Sequence, residues 1–218
     1  MELHMEWAGL LERAINNIDG QGLARRLFFS GSELELNARL CHELELLLDE
    51  EYPDQYMAVL EHPLHGRRCV DLAIISVDPM SFGCVVCLLE AKASVLSEST
   101  YLSRINEDYE KLSNDVTVPA ANTSTDCELY ELLWCKAATG LPPDNYPKFK
   151  KPKYHDKYVN RVGHTLQDVW RKIDAECGTR FSRAHIEPME LPNTGSYREF
   201  TPVVTASLFR VLLGSGKS

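Results

Sequence analysis

Two stretches decide how this chain folds: Arg68-Cys69-Val70-Asp71-Leu72-Ala73-Ile74-Ile75-Ser76-Val77 and Cys84-Val85-Val86-Cys87-Leu88-Leu89-Glu90-Ala91-Lys92-Ala93. In the first, Val70, Leu72, Ile74 and Val77 supply strand-forming side chains, and Asp78-Pro79 makes the break that follows. In the second, the run Cys-Val-Val-Cys-Leu-Leu reads as a strand buried on both faces. A third strand is expected before them, from Tyr56 to Glu61, leading into a turn at Pro63 to Gly66. The short connections predict an antiparallel meander.

Working outward, Trp7, Leu10, Leu11, Ala14, Ile15 and Ile18 have helical spacing, so Glu6 to Ile18 is expected as a helix ended by Asp19-Gly20. A second helix runs from Glu33 to about Glu50, with Leu36, Leu40, Leu44 and Leu47 as its buried stripe. Ser32 is its expected N-cap, and Tyr52-Pro53-Asp54 closes it. After the third strand, Glu98 to Asn114 is amphipathic through Leu102, Ile105, Tyr109 and Leu112. A polar loop is expected at Pro119 to Asp126, and a strand early in Cys127 to Ala138, a segment whose pattern is ambiguous. Leu141 to Tyr158 reads as an exposed loop, Thr165 to Cys177 as a helix, and His185 to Met189 and Thr201 to Leu213 as late strands. This order predicts an α/β fold with a mixed central sheet flanked by helices. One domain is expected over residues 1–218, with a core over about 30–138 and a C-terminal elaboration over about 139–218.

A chain of 218 residues, 44% hydrophobic and 25% charged, buries a core without needing disulfides or a structural metal. Its apolar runs are too short to cross a bilayer, and Met1 to Leu11 lacks the basic start and apolar stretch of a signal peptide. A cytoplasmic protein without a membrane partner is expected, which suits seven cysteines lying mostly in apolar segments. The net charge of −9 argues against a generic nucleic-acid binder unless positive charge is gathered on one face.

Charge inside the apolar strands points to chemistry. Glu90 and Lys92 stand two apart, so on a strand they share a face, and Asp71 on the neighbouring strand is placed to reach the same point. Converging carboxylates repel unless a cation or proton intervenes, and a hard divalent ion such as Mg²⁺ resolves that repulsion with oxygen ligands and water. A lysine beside the ion would hold or help deprotonate the attacking water, a set suited to phosphodiester hydrolysis. The bland alternative is an exposed cross-strand ion pair, worth little in stability.

Asp71 followed by Glu90-Ala91-Lys92 resembles the Asp…(Asp/Glu)-X-Lys signature of the PD-(D/E)XK nuclease superfamily, over roughly Glu33 to Leu112, with Val70 where a proline is usual. The resemblance implies a restriction-endonuclease-like core. It also implies Asp71, Glu90 and the carbonyl of Ala91 as ligands of Mg²⁺ (or Mn²⁺), and Lys92 as the residue orienting the water. It further implies a glutamate from the helix before the sheet, for which Glu33 is the candidate and Glu43 its rival. The expected function is a metal-dependent nuclease acting on DNA, with a protein partner or homodimer as a further expectation. The alternatives are a cleavage-silent binding module on the same fold, and an acidic interaction protein in which the motif is coincidental.

Tyr101, Arg104, Asp108 and Lys111 are placed to line the same cleft, with Arg104 and Lys111 available to phosphates, or else to form a solvated helix face. The concentrated basic stretch, which includes Lys150, Lys151 and Lys153 beside Phe149 and Tyr154, combines charge and rings as a nucleic-acid contact does. A solvated loop is the plain alternative. Cys84 and Cys87 form a C-x-x-C inside an expected strand and read as buried thiols rather than a zinc site. The terminal Gly214-Ser215-Gly216-Lys217-Ser218 lacks both the first glycine and the following helix of a phosphate-binding loop.

Overall fold

Strands β1 (Tyr56–Pro63), β2 (Cys69–Ser76) and β3 (Val85–Ser94) form the expected antiparallel meander in a computed structural model of the chain. The structure describes residues 7–23, 33–64, 69–94, 98–117, 123–139, 171, 175, 180–183, 189–192, 194–196 and 201–212. The basic stretch with Lys150, Lys151 and Lys153, the N-cap Ser32, and most of the helix expected over 165–177 lie outside them.

Leu72 opposes Leu89 across β2 and β3, so Asp71 and Glu90 follow as the next residues of the two antiparallel strands. The turn between these strands is closed by Gly83, whose φ of 76° suits a residue without a Cβ. The Gly83 N–H donates to the Ser76 carbonyl at 2.7 Å, and the Asp78 carboxylate accepts from the Met80 N–H at 2.8 Å.

β3 then pairs in parallel with β4 (Thr123–Thr139), the connection running through helix α3 (Glu98–Thr117). β7 (Thr201–Val211) is antiparallel to β4, and the short β5 (Phe181–Arg183) and β6 (Met189–Glu190) both pair with β7. The sheet is thus seven-stranded and mixed, in the order β1-β2-β3-β4-β7-β5, with β6 off this path. One expectation changes. The polar loop expected to run to Asp126 gives way to strand from Thr123, because pairing with β3 extends the ladder into a hydroxyl-rich segment. The strand expected over Thr201 to Leu213 is β7, which lies in the sheet between β4 and β5.

Both faces are covered. Helices α1 (Trp7–Asn17) and α2 (Glu33–Glu51) pack Leu11, Ile15, Leu36, Leu40, Leu44 and Leu48 against Leu72, Ile74, Leu89, Leu132 and Trp134. On this side Trp134 Nε1 donates to Asn37 Oδ1 at 3.0 Å, tying α2 to β4. Glu128 gathers three donors, from the Trp7 N–H, the Tyr130 hydroxyl and Arg210. The opposite face packs Ile105 and Leu112 of α3 against Ala73, Leu88, Leu129, Leu133 and Phe209. It is this second face that carries the charge.

Candidate active site

Glu90 lies between Leu88 and Lys92 on the α3 face of β3 and is only 1% exposed. The neighbouring strands bring the other groups to it. From β2, Asp71 Oδ2 accepts the Ala91 N–H at 2.8 Å and lies 3.7 Å from Lys92 Nζ. Lys92 Nζ is also 3.4 Å from Glu90 Oε2 and 3.4 Å from Asp108 Oδ2, the latter reaching down from α3. One turn on, Lys111 forms an ion pair with Glu90 Oε1. The expected triad of Asp71, Glu90 and Lys92 is therefore brought together, with Asp108 and Lys111 added by the helix.

A second buried glutamate completes the cluster. Glu131 of β4 sits in register beside Glu90 and is 1% exposed. Its strand neighbours two residues away, Leu129 and Leu133, pack in the cluster under α3, so Glu131 points into the same layer. Sequence reading missed it, although the signal resembled that of Glu90: a lone carboxylate in Leu129-Tyr130-Glu131-Leu132-Leu133.

The electrostatics follow from crowding four carboxylates in a layer with little water. Burial, reinforced by Asp71, pushes the Glu90 carboxyl up to about 7, against the opposing pull of Lys111 and Lys92. Burial likewise raises Asp108, and raises Glu131 well above the usual carboxylate range. Burial disfavours the Lys92 ammonium, but Asp108, Asp71, Glu90 and Glu131 outweigh it, so Lys92 is held more firmly protonated than a free lysine. A lysine so held orients water and neutralises developing negative charge; it does not accept a proton near neutral pH.

The remaining expected residues stand differently. Glu33 opens α2, whose apolar stripe packs on the opposite face of the sheet. It is not among the ion pairs of Lys92 or the main charges acting on Glu90. Arg104 is exposed on α3. Lys111, expected at a phosphate, is paired with Glu90 instead. Cys87 is buried and its thiol pushed well above its ordinary value by that burial, in keeping with a structural thiol.

Oxygen donors of this kind suit a hard cation. Asp108 Oδ2 and both Glu131 oxygens are buried without a hydrogen-bond partner, leaving acceptor capacity in the cluster. Among the described residues, however, no three His, Cys, Asp or Glu side chains form a ready cation cage. Lys92 and Lys111 stand between the carboxylates and neutralise them in its place. No described helix is long and apolar enough to cross a membrane. The chain matches no protein-family model, no curated protein and no solved structure.

Proposed function

We propose that this chain is a divalent-cation-dependent phosphodiesterase with a PD-(D/E)XK-type site on a restriction-endonuclease-like core, cutting nucleic acid and, by the resemblance of its motif, DNA. The observation that carries the reading is the meeting of Asp71, Glu90 and Lys92, with Lys92 Nζ 3.7 Å and 3.4 Å from the two carboxylates. An exposed ion pair does not describe them, because Glu90 is 1% exposed and a buried carboxylate is costly unless it is paired or neutralised.

In this reading Asp71, Glu90 and the Ala91 carbonyl would hold Mg²⁺ or Mn²⁺, which would supply Lewis acidity to the phosphodiester. Lys92, kept protonated by its four carboxylate neighbours, orients the attacking water and offsets charge growing on the phosphate. Asp108 fixes the Lys92 ammonium from the helix side, 3.4 Å away. Lys111 holds Glu90 in place and exchanges that pairing for a phosphate oxygen when substrate enters.

A second reading, a cleavage-silent binding protein with the same site, is favoured by the Lys111–Glu90 pair, which satisfies the buried glutamate without any ion. One experiment separates the two. Purified protein is incubated with plasmid DNA, single-stranded DNA and RNA in Mg²⁺ or Mn²⁺, beside Lys92→Ala. The nuclease reading expects cleavage that falls on the order of 10²–10³-fold in the variant, the size of losing one transition-state stabiliser. Folded wild-type protein that cuts none of these substrates overturns it.

A further inference from the structure

Buried polar atoms in folded proteins are nearly always hydrogen-bonded, and an unpaired one marks a missing water, an ion or a functional strain. Among the described residues, the buried side-chain oxygens and nitrogens without a partner are Asp108 Oδ2, Glu131 Oε1 and Glu131 Oε2. All three belong to one cluster. They come from elements outside the recognised motif, Asp108 from α3 and Glu131 from β4.

The motif carboxylates are, by contrast, already engaged. Asp71 Oδ2 accepts the Ala91 N–H at 2.8 Å, and the two Glu90 oxygens face Lys111 and Lys92. Asp108 Oδ2 does stand 3.4 Å from Lys92 Nζ, an ion-pair distance, but without hydrogen-bond geometry. Asp108 Oδ2 and Glu90 Oε2 each lie 3.4 Å from Lys92 Nζ, and Glu131 stands in register beside Glu90, so Asp108 and Glu131 approach the same point from the helix and from β4. Among the described residues, Asp71, Glu90 and Asp108 meet the ammonium groups of Lys92 and Lys111, while Glu131 is paired with neither.

We infer that Asp108 and Glu131 form a cation position of their own, taking a hard divalent ion of the Mg²⁺ or Mn²⁺ class beside the Asp71–Glu90 pair. Two carboxylates plus retained waters are the usual protein contribution to such an ion. The ion gives the two Glu131 oxygens the partner they lack and takes up the acceptor capacity that the Lys92 ion pair leaves on Asp108. Lys92, with Asp71 and Glu90 still beside it, remains paired. The inference rests on the reading of this pocket as a cation-dependent site, and deepens it by naming ligands that the motif does not contain.

The test is direct Mn²⁺ binding, followed by the loss of the free-ion electron paramagnetic resonance signal and by calorimetry. Wild type, Glu131→Gln, Asp108→Asn and Asp71→Asn are compared, with folding checked by circular dichroism. The expected result is Mn²⁺ uptake by wild type that weakens tenfold or more in both Glu131→Gln and Asp108→Asn. Should one of these isosteric variants fail to fold, the other carries the comparison. Wild-type affinity retained in both, with binding lost in Asp71→Asn, overturns this site and leaves the motif site standing. Absence of Mn²⁺ binding by folded wild type at millimolar concentration overturns both.

Discussion

Glu90 shows how one side chain links stability to the site. Its carboxyl is raised from an ordinary 4.5 to about 7 by burial first and Asp71 second. A carboxyl with a raised folded pKa stabilises the fold below its unfolded pKa, and that contribution is lost as pH rises through the folded value. For Glu90 the loss is roughly 3 kcal/mol across that window, at about 1.4 kcal/mol per unit. Asp108 and Glu131 are shifted in the same direction by burial and add to it. In chelator-treated protein the urea midpoint is therefore expected to fall between about pH 5 and about pH 8, and Glu90→Gln to make that fall shallower. An equally steep fall in Glu90→Gln would remove Glu90 as its source. Of the residues involved, Asp71, Glu90 and Lys92 were legible in the sequence because each interrupts an apolar strand. Lys111 was legible only as a cation on the right helix; its pairing with Glu90 depends on how that helix lies over the sheet.

Among the elements, α3 and β4 do the positioning. Ile105 and Leu112 are buried under α3 and hold it to the sheet, setting the height at which Asp108 and Lys111 reach Lys92 and Glu90. Leu112→Ala removes a fully buried side chain and is expected to cost about 2–5 kcal/mol, read as a lowered urea midpoint at unchanged slope. On the other face, Trp134→Phe keeps the packing but leaves buried Asn37 without its donor. The expected cost is about 1–3 kcal/mol, measured in the same way; a shift below a few tenths would show that water replaces the indole N–H. Helix periodicity made α1, α2 and α3 readable to within a few residues. β4 was only half readable. Its first residues are polar, and parallel pairing with β3, rather than any local preference, makes them strand.

For the whole molecule, the net charge of −9 opposes any polyanion, so nucleic-acid binding has to draw on local positive charge. Lys92 is held among carboxylates and Lys111 offers a single cation, and the stretch with Lys150, Lys151 and Lys153 is the concentrated basic region of the sequence. On the proposed nuclease reading, replacing these three with alanine is expected to weaken DNA binding about uniformly across sequences. The slope of log K against log salt would drop by roughly 0.9 for each phosphate no longer neutralised. An unchanged slope would remove this stretch as a DNA contact. The sequence by itself determined helices α1 to α3 and strands β1, β2, β3 and β7, since alternation and helical spacing are local patterns. It also determined the meander, since short connections allow little else, and the convergence of Asp71, Glu90 and Lys92, since these lie on neighbouring strands of that meander. Only the tertiary structure decided that β4 runs parallel beside β3 and that β7, from near the C-terminus, occupies the sheet's interior. It alone brought Glu131 next to Glu90, and Asp108 of α3 to Lys92. The physical reason is separation along the chain. Partners on β3, α3, β4 and β7 are chosen by burying one shared apolar layer, and that layer exists only once the chain has closed on itself.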